Sequence, residues 1–142
     1  MALSPENEQI LLHHVGYVVR SIEEIADRFA RSIGASWDQK IIVDPLQEAR
    51  VAFLAHRGQS LPLVELVQPE GETAPVAKFL ERGGGLHHIC YEVKSIERQL
   101  ESSRATGGTV VRTPLPAVAF EGRRIAWVFT KDRLLLEFLE RA

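Results

Sequence analysis

Two histidine–glutamate pairs recur along the chain at almost constant spacing. His14 heads the segment His14-Val15-Gly16-Tyr17-Val18-Val19, and His88 heads His88-Ile89-Cys90-Tyr91-Glu92-Val93, an offset of 88 − 14 = 74 residues. Further on, Glu65 in Leu63-Val64-Glu65-Leu66 is answered by Glu137 in Leu135-Leu136-Glu137-Phe138, an offset of 137 − 65 = 72. An ionised carboxylate among aliphatic residues is costly to bury unless it is paired or bound to a cation. One such glutamate reads as facing solvent. Two at matched positions, each preceded by a matched histidine, point instead to a shared metal ion. Imidazole and carboxylate donors together suit Zn, Ni, Co, Fe or Mn better than calcium. Four protein ligands, His14, Glu65, His88 and Glu137, would leave two octahedral positions for two oxygens of one substrate. A cation so placed polarises a carbonyl beside an acidic C–H and lowers the energy of an enolate.

Both histidines belong to doublets, His13-His14 and His87-His88. Side chains alternate between the faces of a regular strand, so only one member of each doublet is expected to reach a cavity. His14 and His88 share register with the small residues Gly16 and Cys90, which leave room for a ligand. His13 and His87 are therefore assigned to packing or capping. Cys90 is expected as a small cavity wall, since nothing nearby marks an activated thiolate. Gly83-Gly84-Gly85 reads as a hinge, because neither GxxxxGK[ST] nor GxGxxG is present, and there is no GxSxG elbow.

The elements that would position these groups form a repeat. Ser21-Ile22-Glu23 and Ser95-Ile96-Glu97 follow the two histidine segments at the same offset, 95 − 21 = 74, and Gly34 and Gly108 are placed to close the ensuing helices. Each unit reads as β-α-β-β-β. A strand over His14–Val19 leads to a helix that Ser21 caps, with Glu24 completing a capping box. Ile22, Ile25, Ala26, Phe29 and Ile33 give that helix its apolar stripe. Strands are expected near 40–43, 50–55 and 61–67. The second unit repeats the order with a strand at 86–93, a helix from Ser95 to about Ala105, and strands near 109–112, 124–129 and 133–139. Period-two alternation turns Tyr17, Val19, Val64 and Leu66 under the first helix. It turns His14, Glu65, His88 and Glu137 to the opposite face, where two half-barrels would share a cavity. The predicted architecture is thus α+β, a single domain over 1–142 made of tandem βαβββ modules (about 10–68 and 86–140). They are joined by a linker over 69–85 that carries a short helix near 76–81.

With 142 residues, 45% hydrophobic and 25% charged, the chain can bury about two thirds of its unfolded surface without disulfides. A net charge of −2 offers no general attraction to nucleic acid or an anionic membrane. Cys90 has no intramolecular partner, Met1–Gln9 lacks the pattern of a secretory leader, and no apolar run is long enough to span a bilayer. A cytoplasmic protein acting on small molecules is the resulting expectation.

These features resemble the vicinal oxygen chelate superfamily of glyoxalases, bleomycin-resistance proteins and extradiol dioxygenases, over about Leu12 to Glu140. Pro75-Val76-Ala77-Lys78-Phe79-Leu80-Glu81, followed by Gly85-Leu86-His87-His88-Ile89-Cys90-Tyr91-Glu92-Val93, is similar to its methylmalonyl-CoA epimerase branch. The resemblance implies a curved glyoxalase-like sheet, a divalent ion on His14, Glu65, His88 and Glu137, and an acyl-CoA thioester or thiol adduct as substrate. It also implies a homodimer. The implied chemistry is proton transfer at a carbon beside a chelated carbonyl, with Glu65 and Glu137 as candidate proton carriers and Glu48, Glu92 and Glu121 behind them. Two departures accompany it. The position from which some epimerases draw a base is Val51 here, and Phe120–Arg133 lacks the branch's His-Pro-Lys segment. Arg123, Arg124 and Lys131 in that stretch either meet phosphates or are solvated turn charges. A glyoxalase I-like lactoylglutathione lyase and a non-catalytic resistance-type binder are the alternatives.

Overall fold

The computed structural model describes residues 10–142; the opening segment Met1–Gln9, where the sequence predicts no leader, lies outside the described residues. Strand β1 (Leu11–Val18) leads into helix α1 (Ile22–Ser32), followed by β2 (Ala35–Trp37), β3 (Ile42–Asp44), β4 (Ala49–His56) and β5 (Leu63–Pro69). Helix α2 (Ala77–Glu81) precedes β6 (Gly85–Val93), α3 (Ile96–Ala105), β7 (Thr109–Pro116), a 3-10 turn at Val118–Phe120, β8 (Arg124–Phe129) and β9 (Leu135–Glu140). Both long helices start on the predicted serine: Ser21 Oγ accepts the Glu24 N–H and Ser95 Oγ the Arg98 N–H, each at 3.3 Å. Ile22, Ala26 and Ala30 recur turn by turn on the face of α1 that packs on Leu54 and Leu66. Burying Ile22 alone contributes about 1.5–3 kcal/mol. Ile96 and Leu100 of α3 pack likewise against Val128 and Phe138.

Two local expectations change. The first module has one strand more than predicted, because its edge strand is split. Strands β2 and β3 both pair with β4, at its Leu54 and Ala49 ends, and a turn through Gln39 (φ 69°) separates them. At the helix ends, Gly34 takes the left-handed conformation (φ 68°), but in the second module Gly107 (φ 90°) does so rather than Gly108. Gly108 is glycine for space: a Cβ there would lie 2.9 Å from the Ser103 carbonyl oxygen and 3.0 Å from Val128 Cγ1.

All strands join one sheet in the order β2-β4-β5-β1-β6-β9-β8-β7, with β3 on β4. Within each module the first and last strands run parallel, β1 with β5 and β6 with β9. The seam between modules is the antiparallel pair β1–β6. Tyr17, Val19, Val64 and Leu66 pack on the α1 side, whereas Val18, Val51 and Val67 pack together on the other face. That second face curves around the site.

Candidate metal centre

The strand register brings the four predicted residues together without help from loops. Across the seam His14 is opposite Cys90 and Gly16 opposite His88, so each module's imidazole lies against the other module's small residue. Within each module that small residue is level with the glutamate: Gly16 with Glu65, Cys90 with Glu137. The space is tight. A Cβ on Gly16 would lie 2.1 Å from His88 Cε1.

His14, His88, Glu65 and Glu137 are 0%, 3%, 5% and 3% exposed, and one ligand atom from each lies within 4.8 Å of the others. His14 Nε2 is 3.2 Å from His88 Nε2, 2.9 Å from Glu137 Oε1 and 3.5 Å from Glu65 Oε1. His88 Nε2 is 3.2 Å from Glu65 Oε1 and 3.4 Å from Glu137 Oε1. Donors bound at about 2.1 Å to one ion are separated by roughly 3.0 Å in an octahedron and 3.4 Å in a tetrahedron. Glu137 Oε1 is buried and, although His14 Nε2 is 2.9 Å away, has no partner in good hydrogen-bond geometry, and a buried acceptor so placed is what a cation satisfies. The donor set fits a divalent transition ion.

Protons compete for the same place. Burial opposes charge on His14, yet Glu65 and Glu137 together hold the imidazole well above its ordinary value; His88 is raised likewise against burial by bonds to Glu137 and Glu65. Burial would raise Glu65 and Glu137, but the two imidazoles hold both carboxyls below the usual range. The same carboxylates that would hold a cation thus favour the charged imidazoles, so metal binding at these four groups would be in competition with protons.

The doublets overturn the alternation argument. Between Leu12 and His14 the β1 strand advances two residues while β6 advances one, so His13 is the extra residue of a bulge. His87 is the extra residue between Leu86 and His88 on the other strand. The bulges re-aim both outer rings toward the inner ones. His13 Nδ1 lies 2.8 Å from His14 Nδ1, and His87 Nδ1 lies 2.9 Å from His88 Nδ1. Burial, reinforced by the neighbouring inner histidine, lowers both outer imidazoles to about 4, which keeps them neutral.

The cluster opens into a cavity of about 490 Å³ whose wall includes Glu65 and Glu137, with Val51, Val67, Ile125, Trp127 and Leu135 among its apolar residues. At its polar end are Asp44, Gln47 and Arg112. Asp44 accepts the N–H groups of Leu46, Gln47 and Val118, tying the first module to the second. Arg112 donates to Gln47 Oε1 (3.2 Å) and to the Leu46 carbonyl (2.8 Å), which leaves the buried Gln47 Nε2 without an acceptor.

Residues 13–127 match the family model described as the Glyoxalase/Bleomycin resistance protein/Dioxygenase superfamily. The chain belongs to that superfamily. An ethylmalonyl-CoA/methylmalonyl-CoA epimerase of Cereibacter sphaeroides is 31% identical over 125 residues, spanning 85% of this chain and 89% of the relative. A methylmalonyl-CoA epimerase structure from Mycobacterium tuberculosis superposes with a TM-score of 0.78 at 27% identity, over 92% of this chain and 87% of that one. A hypothetical protein from Bacillus halodurans C-125 gives 0.80 at 29% identity, over 94% and 95%.

In this vicinal oxygen chelate chain, several lesser expectations fail. Glu48, Glu92 and Glu121 are absent from the cavity wall. Glu48 (φ 50°) and Glu121 (φ 56°) occupy left-handed positions in turns, and Glu92 pairs with Arg141 at 3.3 Å. Cys90 is buried under His14 rather than on the wall, and burial raises its thiol far from ionisation. Arg123 and Arg124 are committed to internal partners: Arg124 to Glu140 and Glu97, Arg123 to the Phe120 and Glu140 carbonyls. The base position of the resemblance, Val51, does lie on the wall. Asp44 has local partners in the Leu46 and Gln47 N–H groups, but its bond to Val118 and the Arg112–Gln47 bond join residues 74 and 65 apart, which no local sequence signal marks. The outer histidines did have one: the doublet itself, repeated at the same offset.

Proposed function

We propose that the protein is a metal-dependent epimerase that moves a proton at the carbon between a thioester carbonyl and a carboxylate, on a short-branched malonyl-CoA-type substrate. The carrying observation is the convergence of two buried imidazoles and two buried carboxylates at the inner end of an apolar cavity. The epimerase relative at 31% identity supports the substrate class. His14, Glu65, His88 and Glu137 would hold the ion, which when bound supplies the positive charge that stabilises an enolate. Glu65 and Glu137 are the carboxylates on the wall that can carry protons, because three backbone N–H groups already occupy Asp44. They come from opposite modules, as removal from one face and return to the other requires. Held by imidazoles each is a weak base; released toward the apolar wall, desolvation raises its proton affinity toward a useful range. Val51, Val67 and Ile125 exclude water from the reacting carbon. The unpartnered Gln47 amide supports a ligand with an acceptor oxygen at the far end.

The same two carboxylates would serve proton transfer in a glutathione hemithioacetal, which keeps the lyase as the second reading. Incubation of the metal-loaded protein in D2O separates the two. Deuterium incorporation at C2 of methylmalonyl-CoA, lost after chelation and restored by Co or Ni, is the expected result. Turnover of the methylglyoxal–glutathione adduct without thioester exchange would overturn the epimerase in favour of the lyase.

A further inference from the structure

We propose that His13 and His87 are positioning residues for the metal centre: each accepts the Nδ1–H of the neighbouring inner histidine and thereby turns that histidine's Nε2 lone pair toward the ion. This rests on the metal reading given above and adds to it an outer pair of imidazoles. The geometry carries it. The two Nδ1–Nδ1 separations, 2.8 and 2.9 Å, each admit one hydrogen between two ring nitrogens. A neutral imidazole has one N–H, so the proton shared at Nδ1 belongs either to the inner or to the outer ring. If it belonged to the outer ring, both inner rings would carry their hydrogen on Nε2. Neither of the two Nε2 atoms, through which the inner rings face each other at 3.2 Å, would then have a lone pair for an ion. A proton on the inner Nδ1 instead directs both Nε2 lone pairs at the point where the carboxylate oxygens also converge.

The outer rings are held in place to do this. His13 stands edge-on to Phe120 at 5.3 Å, and His87 edge-on to Phe79 at 4.9 Å and to Trp127 at 6.2 Å. Both are bulge residues at equivalent positions of the repeat, 87 − 13 = 74 residues apart. Two independent irregularities of the seam thus perform one task. Outer-shell partners of this kind are more often carboxylates or carbonyls. A neutral imidazole withholds the extra negative charge, so the ion would keep more of its power to polarise a substrate.

The test is metal affinity, read without any substrate. His13→Phe and His87→Phe keep an aromatic ring of similar size but remove the acceptor; His13→Gln and His87→Gln restore one. Cobalt(II) is titrated against a competing chelator, the d–d spectrum is recorded for each variant, and thermal unfolding checks that all four fold. Each Phe substitution is expected to weaken cobalt binding about 10- to 100-fold and to alter the spectrum, with Gln recovering part of the loss. Wild-type affinity and spectrum in both folded Phe variants would overturn the positioning role while leaving the metal centre intact. Should the Phe variants fail to fold, His13→Leu and His87→Leu, which also lack the acceptor, take their place: weakened cobalt binding by these folded variants supports the role and unchanged binding overturns it. A wild-type protein that binds no cobalt at all removes the centre and this inference with it.

Discussion

Gly16→Ala is the smallest change that tests the assembly of the site. The added Cβ would lie 2.1 Å from His88 Cε1, 2.5 Å from Nε2 and 2.6 Å from Nδ1, where real contacts essentially never fall below 3.0 Å. The ring must therefore retreat by at least 3.0 − 2.1 = 0.9 Å. Its path is obstructed, because Trp127 stands edge-on at 4.7 Å and His87 holds Nδ1 at 2.9 Å. Metal–ligand bonds tolerate errors of about 0.2 Å, so such a displacement removes one ligand of four. If a four-ligand site is worth roughly 10–16 kcal/mol, one ligand accounts for about 2.5–4 kcal/mol, a weakening of two to three orders of magnitude. Chelator competition with zinc or cobalt measures this directly. Overpacking at the seam should also cost the metal-free protein about 1–3 kcal/mol in urea unfolding. Cys90→Ala is the control, since Cys90 faces His14 across the same seam and shrinking it displaces nothing. A Gly16→Ala protein that binds metal like wild type would refute the claim that the seam fixes His88.

Other expectations follow from individual contacts. In the metal-free protein, the raised His14 and His88 contribute stability that is complete below 6.5 and is lost as pH rises through their folded values. The depressed His13 and His87 contribute stability present above 6.5 and lost toward about 4, and the lowered Glu65 and Glu137 add a further loss below 4.5. Urea unfolding with chelator should accordingly peak near neutrality, and metal should remove the alkaline decline; a monotonic rise from pH 6 to 9 without metal contradicts the ion-pair geometry. Asp44→Ala leaves three backbone N–H groups without their acceptor and should cost about 2–4 kcal/mol, measurable by thermal unfolding with metal affinity unchanged. Gln47→Leu removes the unpartnered donor at the polar end and should raise KM for a CoA thioester about tenfold, with kcat nearly constant, as loss of a single hydrogen bond to a ligand does. Equal KM values would show that the amide does not meet the substrate.

The sequence made the four central residues legible because duplication repeats them and because strands convert spacing into facing. Val18 and Val67 lie on the site face and Leu66 on the helix face, as alternation requires. The same rule failed at His13 and His87, since it presumes an unbroken register and both are bulge residues. Hydrophobic patterning also missed the break between β2 and β3, which depends on the turn at Gln39. The polar end of the cavity was hidden for a different reason. The Asp44–Val118 bond and both Arg112 bonds form only when the second module lies against the first, and no local window contains both partners.

On the proposed metal reading, the two strand registers require both modules for an ion to bind. A single module provides one imidazole and one carboxylate, level with a small residue that leaves space for the other module's imidazole. Coordination would therefore exist only when β1 and β6 are paired, and an ion that binds the paired state but not the separated one stabilises that seam by mass action. The seam carries the bulges that aim His13 and His87, so local opening of β1 from β6 would release ligands and outer rings together. Hydrogen exchange should reveal this as protection of the β1 and β6 amides that rises with metal concentration. The amides of the edge strands β2 and β7, remote from the cluster, should change little. Uniform protection across all strands would mean that the ion reports global folding rather than the joining of the two halves.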